Sequence, residues 1–279
     1  MSSTVTASSW QLWIRQTIAI LQLEIRKNFL GRRALLLYLI AVLPLIMLSL
    51  LALFPPPTEE MENFSELAQV YAAVYGGLIL RTLVFFGCGW VFMNLFRGEV
   101  VDRSLHYYFL SPVRREVLIV GKYLSGLIAT TVLFSITTVG SMLILYFWLF
   151  PSESSAYFFG GAGMGQLLSY LGVTILACIG YGAMFLIVGL FFRNPIIPAL
   201  FLYGWEWINF LLPPFLKKVS VIHYLTSLVP QSMSEGPFAV LVEPTPAWIS
   251  VPSLVLFTGV VLFLASLYIR RMEISYAGE

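Results

Sequence analysis

Charged and polar side chains are scarce in this 279-residue chain, so those able to do chemistry can be weighed one by one. The densest group lies in Gly98–Leu124, GEVVDRSLHYYFLSPVRREVLIVGKYL, which holds Glu99, Asp102, Arg103, His106, Arg114, Arg115 and Lys122. Gly121-Lys122 would suit the end of a phosphate cradle. Tyr123 follows it, however, and no glycine stands at the earlier position of G-x-x-x-x-G-K-[ST]. GGAGMGQ, Gly160–Gln166, is glycine-rich but reads as a tight turn entering a helix, with Gly161 and Gly165 four apart as a small-residue face. There is no G-x-S-x-G, no H-E-x-x-H and no clustered His/Cys set. Nucleophilic catalysis needs a base beside the nucleophile, and no such pair is legible. Cys88 and Cys178 sit alone in apolar runs and read as small core residues.

Two further charges, Arg81 and Glu206, fall inside long apolar runs. A charge at the centre of a bilayer costs at least about 2.5–3.5 kcal/mol, so such groups face the protein interior and find partners. Counted at about 1.5 Å per helical residue, Arg81 lies roughly 24 Å from Arg97, and Glu206 roughly 20 Å from Arg193. Similar depth suggests that they pair, within one subunit or across two. The alternatives are an Arg81 that reaches to the headgroups and a Glu206 protonated in an apolar slot.

The elements that must position these groups belong to a membrane. The chain is 59% hydrophobic and only 11% charged, against about 25% charged in a soluble domain. A soluble protein of this polarity would have a bare surface. The formal net charge of +2 gives no argument for nucleic acid. Six runs approach or exceed the length of a span: Leu35–Phe54, Val70–Phe96, Val117–Phe150, Gln166–Phe192, Ile196–Leu212 and Val251–Ile269. The third is overlong and the fifth short, and Pro44 should kink the first. No cleavable leader is visible, so the first run is expected to stay as an anchor. Arg15, Arg26, Lys27, Arg32, Arg33, Arg97, Arg103, Arg114, Arg115, Lys122, Arg193, Arg270 and Arg271 fall on one side, and only Lys217 and Lys218 on the other. This asymmetry places both termini in the cytoplasm. His106 and His223 then lie on opposite faces and cannot share a metal or a proton relay.

Residues 9–28 carry Trp10, Trp13, Ile14, Ile18, Leu21 and Ile25 at helical spacing, with Gln11, Arg15, Gln22 and Arg26 opposite. Ser9 suits an N-cap. The pattern reads as a helix in the membrane interface, the alternative being a helix packed on a soluble partner. Residues 213–250 form a long outer loop, whose VSVIHYLTSLVPQ is too short to span and should form short interfacial or re-entrant helices. The fold class expected is therefore all-α and integral to the membrane, in one domain over 1–279.

Within residues 98–112, Val101, Leu105, Tyr108 and Phe109 keep helical phase while acids and bases fall between them. Ser111-Pro112 stops the helix, because a residue before proline avoids the helical region. A loop that merely obeys the charge rule would need neither feature. The order Glu99, Leu105, Leu110-Ser111-Pro112-Val113, Arg115, Gly121-Lys122 resembles the first cytoplasmic loop of ABC-2 type transporter permeases. The layout is similar over nearly the whole chain, although only Glu99–Lys122 matches at the level of a motif. Where loops of that family often carry a Thr-Leu-Glu-Leu-Leu-like run, this chain has SLHYYFL, which makes the docking face bulkier.

The resemblance implies a coupling helix that fits a cleft on a separate cytoplasmic ATPase. The coupling residues would be Glu99, Asp102, Arg103, Leu105, Tyr108, Phe109, Ser111, Pro112, Arg114, Arg115 and Lys122. It implies two six-span subunits, identical or homologous, above two ATPase subunits that hold ATP and Mg. This chain would then carry no catalytic residue, metal or cofactor of its own, and its direction of transport would be export through the plasma membrane. A membrane scaffold that holds a partner without transport is the rival reading.

Overall fold

In a medium without water, backbone N–H and C=O groups must be satisfied within the chain, so apolar runs become helices. The computed structural model describes residues 9–31, 34–54, 64–101, 110, 113–231 and 243–271, and among these there is no strand. Helix α1 covers Ser9–Leu30 and α2 Ala34–Leu53. One long helix follows in three parts: α3, Phe64–Val74; a π-helical stretch, Tyr75–Val84; and α4, Phe85–Val101. After α5, Arg115–Leu149, come the short α6, Pro151–Gly160, and the long α7, Gly163–Phe191. Then follow α8, Ile196–Ile208, α9, Pro214–Lys217, α10, Val221–Leu228, and α11, Ala247–Arg271.

Five helices are long and apolar enough to cross a membrane: α2, the long helix over Glu66–Glu99, α5, α7 and α11. They make this a multi-pass, membrane-embedded chain. The run expected at Ile196–Leu212 forms a shorter apolar helix, Ile196–Leu211, that ends in a 3-10 turn. Pro213 explains the stop, since it pushes Leu212 into an extended conformation (φ −73°, ψ 149°). The overlong third run is a single helix of 35 residues, about 52 Å at 1.5 Å per residue. The loop expected on the outer side contains the short α9 and α10, and GGAGMGQ supplies the turn into α7. Gly165 faces open space within the chain, whereas a side chain at Gly163 would strike the Tyr157 ring at 2.7 Å.

Helix α7 is the centre, with 67% of its apolar stretch buried, against 28% for α2 and α11 at the periphery. It packs against α4, α5 and α11, while α1 lies along α5. Glycines permit the closest approach. A Cβ on Gly182 would meet the Phe92 ring at 2.5 Å, and one on Gly189 would meet the Met93 backbone at 2.7 Å. These glycines are two turns apart on α7, so they form one smooth strip against α4. Toward the other end, Tyr71 donates to the Thr138 carbonyl (3.0 Å) and Tyr75 to the Tyr170 carbonyl (3.1 Å). Thr138 and Thr174 hydroxyls meet between them at 3.0 Å. This seam fastens the start of the long helix to α5 and α7.

In the π-helical stretch the turn widens, and the Thr82 hydroxyl bonds to the carbonyl five residues back, Gly77, at 3.2 Å. Arg81 projects from this stretch. Wide turns of this kind are rare and often accompany functional sites.

Candidate functional site

Lys27 and Lys122, two of the basic residues counted above, meet where the two stems of the charged segment come together. Glu99 stands in the last turn of α4 and Lys122 in the second turn of α5. The Lys122 ammonium is fully buried. It contacts Glu99 Oε1 at 2.7 Å and Glu24 Oε1 at 2.9 Å, and donates to the Leu95 carbonyl at 3.0 Å. Lys27, about half exposed, closes the group with Glu99 at 3.3 Å and Glu24 at 3.4 Å. Two carboxylates and two ammonium groups thus form one neutral clamp joining α1, α4 and α5. Beside it lies a cavity of about 120 Å³, lined by Lys27, Asn28, Trp90, Asn94 and the two glutamates.

Glycine brings α1 close enough for this. Ile20, one turn before Glu24, covers Gly121, where an added Cβ would come within 2.8 Å of its side chain. The face of α1 turned to the protein is therefore Trp13, Thr17, Ile20, Glu24 and Asn28, while Trp10, Ile14 and Ile18 stay exposed. The apolar stripe that periodicity picks out is only partly the packed one.

The start of α5 carries two more ties. The Arg114 guanidinium lies 4.7 Å from the centre of the Trp13 ring, a cation–π contact with α1. Arg115 donates to the carbonyls of Ile269 (2.8 Å) and Arg270 (3.1 Å), capping the end of α11. Glu116 accepts from Arg270 in return. Of the residues expected to act in coupling, Glu99, Arg114, Arg115 and Lys122 are thus brought to one frame. Asp102, Arg103, Leu105, Tyr108, Phe109, Ser111 and Pro112, with most of the helix expected over 98–112, lie outside the described residues.

Sequence reasoning missed Glu24 and Lys27 as members of the site. One signal was available: Glu24 is the only acid in residues 9–31, and Lys27 follows it at the i,i+3 spacing of helical ion pairs.

The intramembrane charges form a second locus. Glu206 on α8 is buried and accepts from the backbone N–H groups of Val221 (3.1 Å) and Ile222 (2.8 Å), and from the Tyr181 hydroxyl at 3.4 Å. Its carboxylate therefore sits on the open N-terminus of α10, where free amides and the helix dipole favour negative charge. The charges of Arg81 and Glu206 both act on the Tyr181 hydroxyl. Glu206→Ala is expected to lose about 1.5–3 kcal/mol and Glu206→Gln less, read as thermal stability of the purified protein. Exchanging Arg81 and Glu206 should not restore stability, because an arginine at 206 cannot accept the two amides.

Among the described residues no group of three His, Cys, Asp or Glu could hold a metal, and Cys88 and Cys178 are buried and free. What the charged groups form is a buried ionic junction between α1, α4 and α5. Comparison with protein-family models gives no match to this chain, and comparison with curated proteins gives none.

Proposed function

We propose that this chain is the membrane-spanning subunit of an ATP-driven exporter of the ABC-2 type. One observation carries the reading: the two stems of the charged segment are bolted together at 2.7 Å through Glu99 and Lys122, and each is fixed to α1, Lys122 through Glu24 and Glu99 through Lys27. A segment held this way passes a push into α1, α4 and α5 at once, and through Arg115 into α11. A plain connecting loop would need no buried ionic frame. In this reading residues 98–112 form a coupling helix in the cleft of a cytoplasmic ATPase. Two permease subunits, identical or homologous, stand above two ATPase subunits that bind ATP and Mg. Ile196–Leu211, with the residues after it, serves as a sixth span, α1 lies in the interface, and both termini are cytoplasmic in the plasma membrane. Substrate leaves outward between the subunits, and this chain has no catalytic role.

Co-purification from native membranes tests this, with the wild type beside an Asp102→Lys, Tyr108→Ala, Phe109→Ala variant. An ATPase subunit is expected with the wild type and not with the variant. If none accompanies the wild type in mild detergent, the exporter reading fails and a non-transporting scaffold takes its place.

A further inference from the structure

At the far end of α5 from the clamp, α6 carries the chain across to α7. Two tyrosines face each other there, Tyr146 in the last turn of α5 and Tyr170 in the second turn of α7, each 1% exposed. Their hydroxyl oxygens are buried and have no hydrogen-bond partner among the described residues. Buried hydroxyls are as a rule hydrogen-bonded, because stranding one forfeits its hydration. The neighbouring Tyr71 and Tyr75 obey that rule, with Ser141 and Thr174 hydroxyls at 3.2 and 2.9 Å besides the carbonyls given above.

A third hydroxyl comes from α6. The Tyr157 ring lies parallel to that of Tyr146, with planes at 1° and centres 5.7 Å apart. Tyr157 and Tyr170 both act on the Tyr146 hydroxyl, and Tyr157 acts on that of Tyr170. Hydroxyls from three helices thus converge, yet those of Tyr146 and Tyr170 bond to none of the others. Phe64 and Phe158 stand edge-on against Tyr146, so the surroundings are otherwise apolar.

We propose that a buried water is bound here, bridging the Tyr146 and Tyr170 hydroxyls and held also by Tyr157. Buried waters take up otherwise unsatisfied polar groups through about three hydrogen bonds, the number of hydroxyls present. Polar groups that face one another beyond direct reach are joined in this way. Among the described residues only other tyrosines act on these two hydroxyls, which suits a neutral molecule and leaves an ion without a counter-charge. The water would tie α6 to α5 and α7, beside the direct bond from the Ser154 hydroxyl to the Tyr146 carbonyl at 2.9 Å. This site does not depend on the coupling reading.

The test is X-ray radiolytic footprinting of the purified full chain in detergent, read by mass spectrometry. Radiolysis turns bound water into hydroxyl radicals that modify the side chains beside it. Tyr146 and Tyr170 should be modified roughly five-fold faster than Tyr75 and Tyr181, which are as deeply buried but hydrogen-bond to protein groups. Tyr146→Phe and Tyr170→Phe should each lower the unfolding midpoint by about 2–4 °C. The double variant should fall no further than the less stable single one, because losing either hydroxyl releases the shared water. Modification no faster than at Tyr75 and Tyr181 overturns the proposal. So does a midpoint that rises in the single variants, which would mean dry hydroxyls relieved by their removal. Losses that add in the double variant would give the two hydroxyls separate partners and overturn it as well. Should a variant fail to fold, the wild-type footprint decides alone.

Discussion

Replacing Lys122 with methionine is expected to remove about 3–5 kcal/mol of stability, a fall on the order of 10 °C in the unfolding midpoint. The ammonium is the hub of the clamp. Without it Glu99 and Glu24 remain buried, with the half-exposed Lys27 at 3.3–3.4 Å left to offset them among these four groups. Breaking a buried ion pair is costly because it strands the partner, whereas removing both partners is often close to neutral. Lys122→Met combined with Glu99→Met should therefore recover most of the loss, since Glu24 keeps Lys27. Recovery measures the clamp and not the volume of one side chain. If the double variant is no more stable than Lys122→Met alone, the two residues are not coupled and the clamp is misread. On the proposed coupling to an ATPase, the recovered variant would fold yet transmit poorly, because the stems are no longer tied.

The second large effect is steric. Gly189→Leu should abolish accumulation of folded protein. Its side chain would begin 2.7 Å from the Met93 backbone, and a backbone in mid-helix cannot swing aside as a side chain does. Overpacking costs about 1–3 kcal/mol where neighbours can yield, and more here, where α4 as a whole must move. Gly172→Leu on the same helix is the control. Nothing lies within 4 Å of an added Cβ there, and the change should stay within about 0.5 kcal/mol. Equal yields of the two variants in a membrane fraction would show that α4 and α7 do not meet through Gly189.

Much of the helical frame could be read from the chain because apolar length and proline act locally. Five of the six runs become long helices, and the fifth, already short in the sequence, ends before Pro213, a residue whose effect needs no tertiary context. The π-helical stretch could not be read. Its side chains fit an ordinary helix, and Gly76-Gly77 hints only at backbone freedom. Half of the clamp was legible, since Glu99 and Lys122 flank an obvious charged segment. Glu24 was not: a lone acid on a basic amphipathic helix looks solvated until α5 presents Lys122 to it, 98 residues away. The part of Glu206 as a cap was hidden for the same reason, as its two amides come from α10, 15 and 16 residues on. Long-range electrostatic partners leave no periodic trace.

The neutrality of the clamp bears on how the membrane voltage acts on this end of the protein. An uncompensated charge carried across the full potential does about 2.3 kcal/mol of electrical work per 100 mV. Glu24, Lys27, Glu99 and Lys122 sum to zero among themselves, and each carboxylate lies within 3.4 Å of both ammonium groups. They can be displaced together along the membrane normal with almost no such work. The clamp itself would therefore add almost nothing to the voltage dependence of a stroke delivered to this joint.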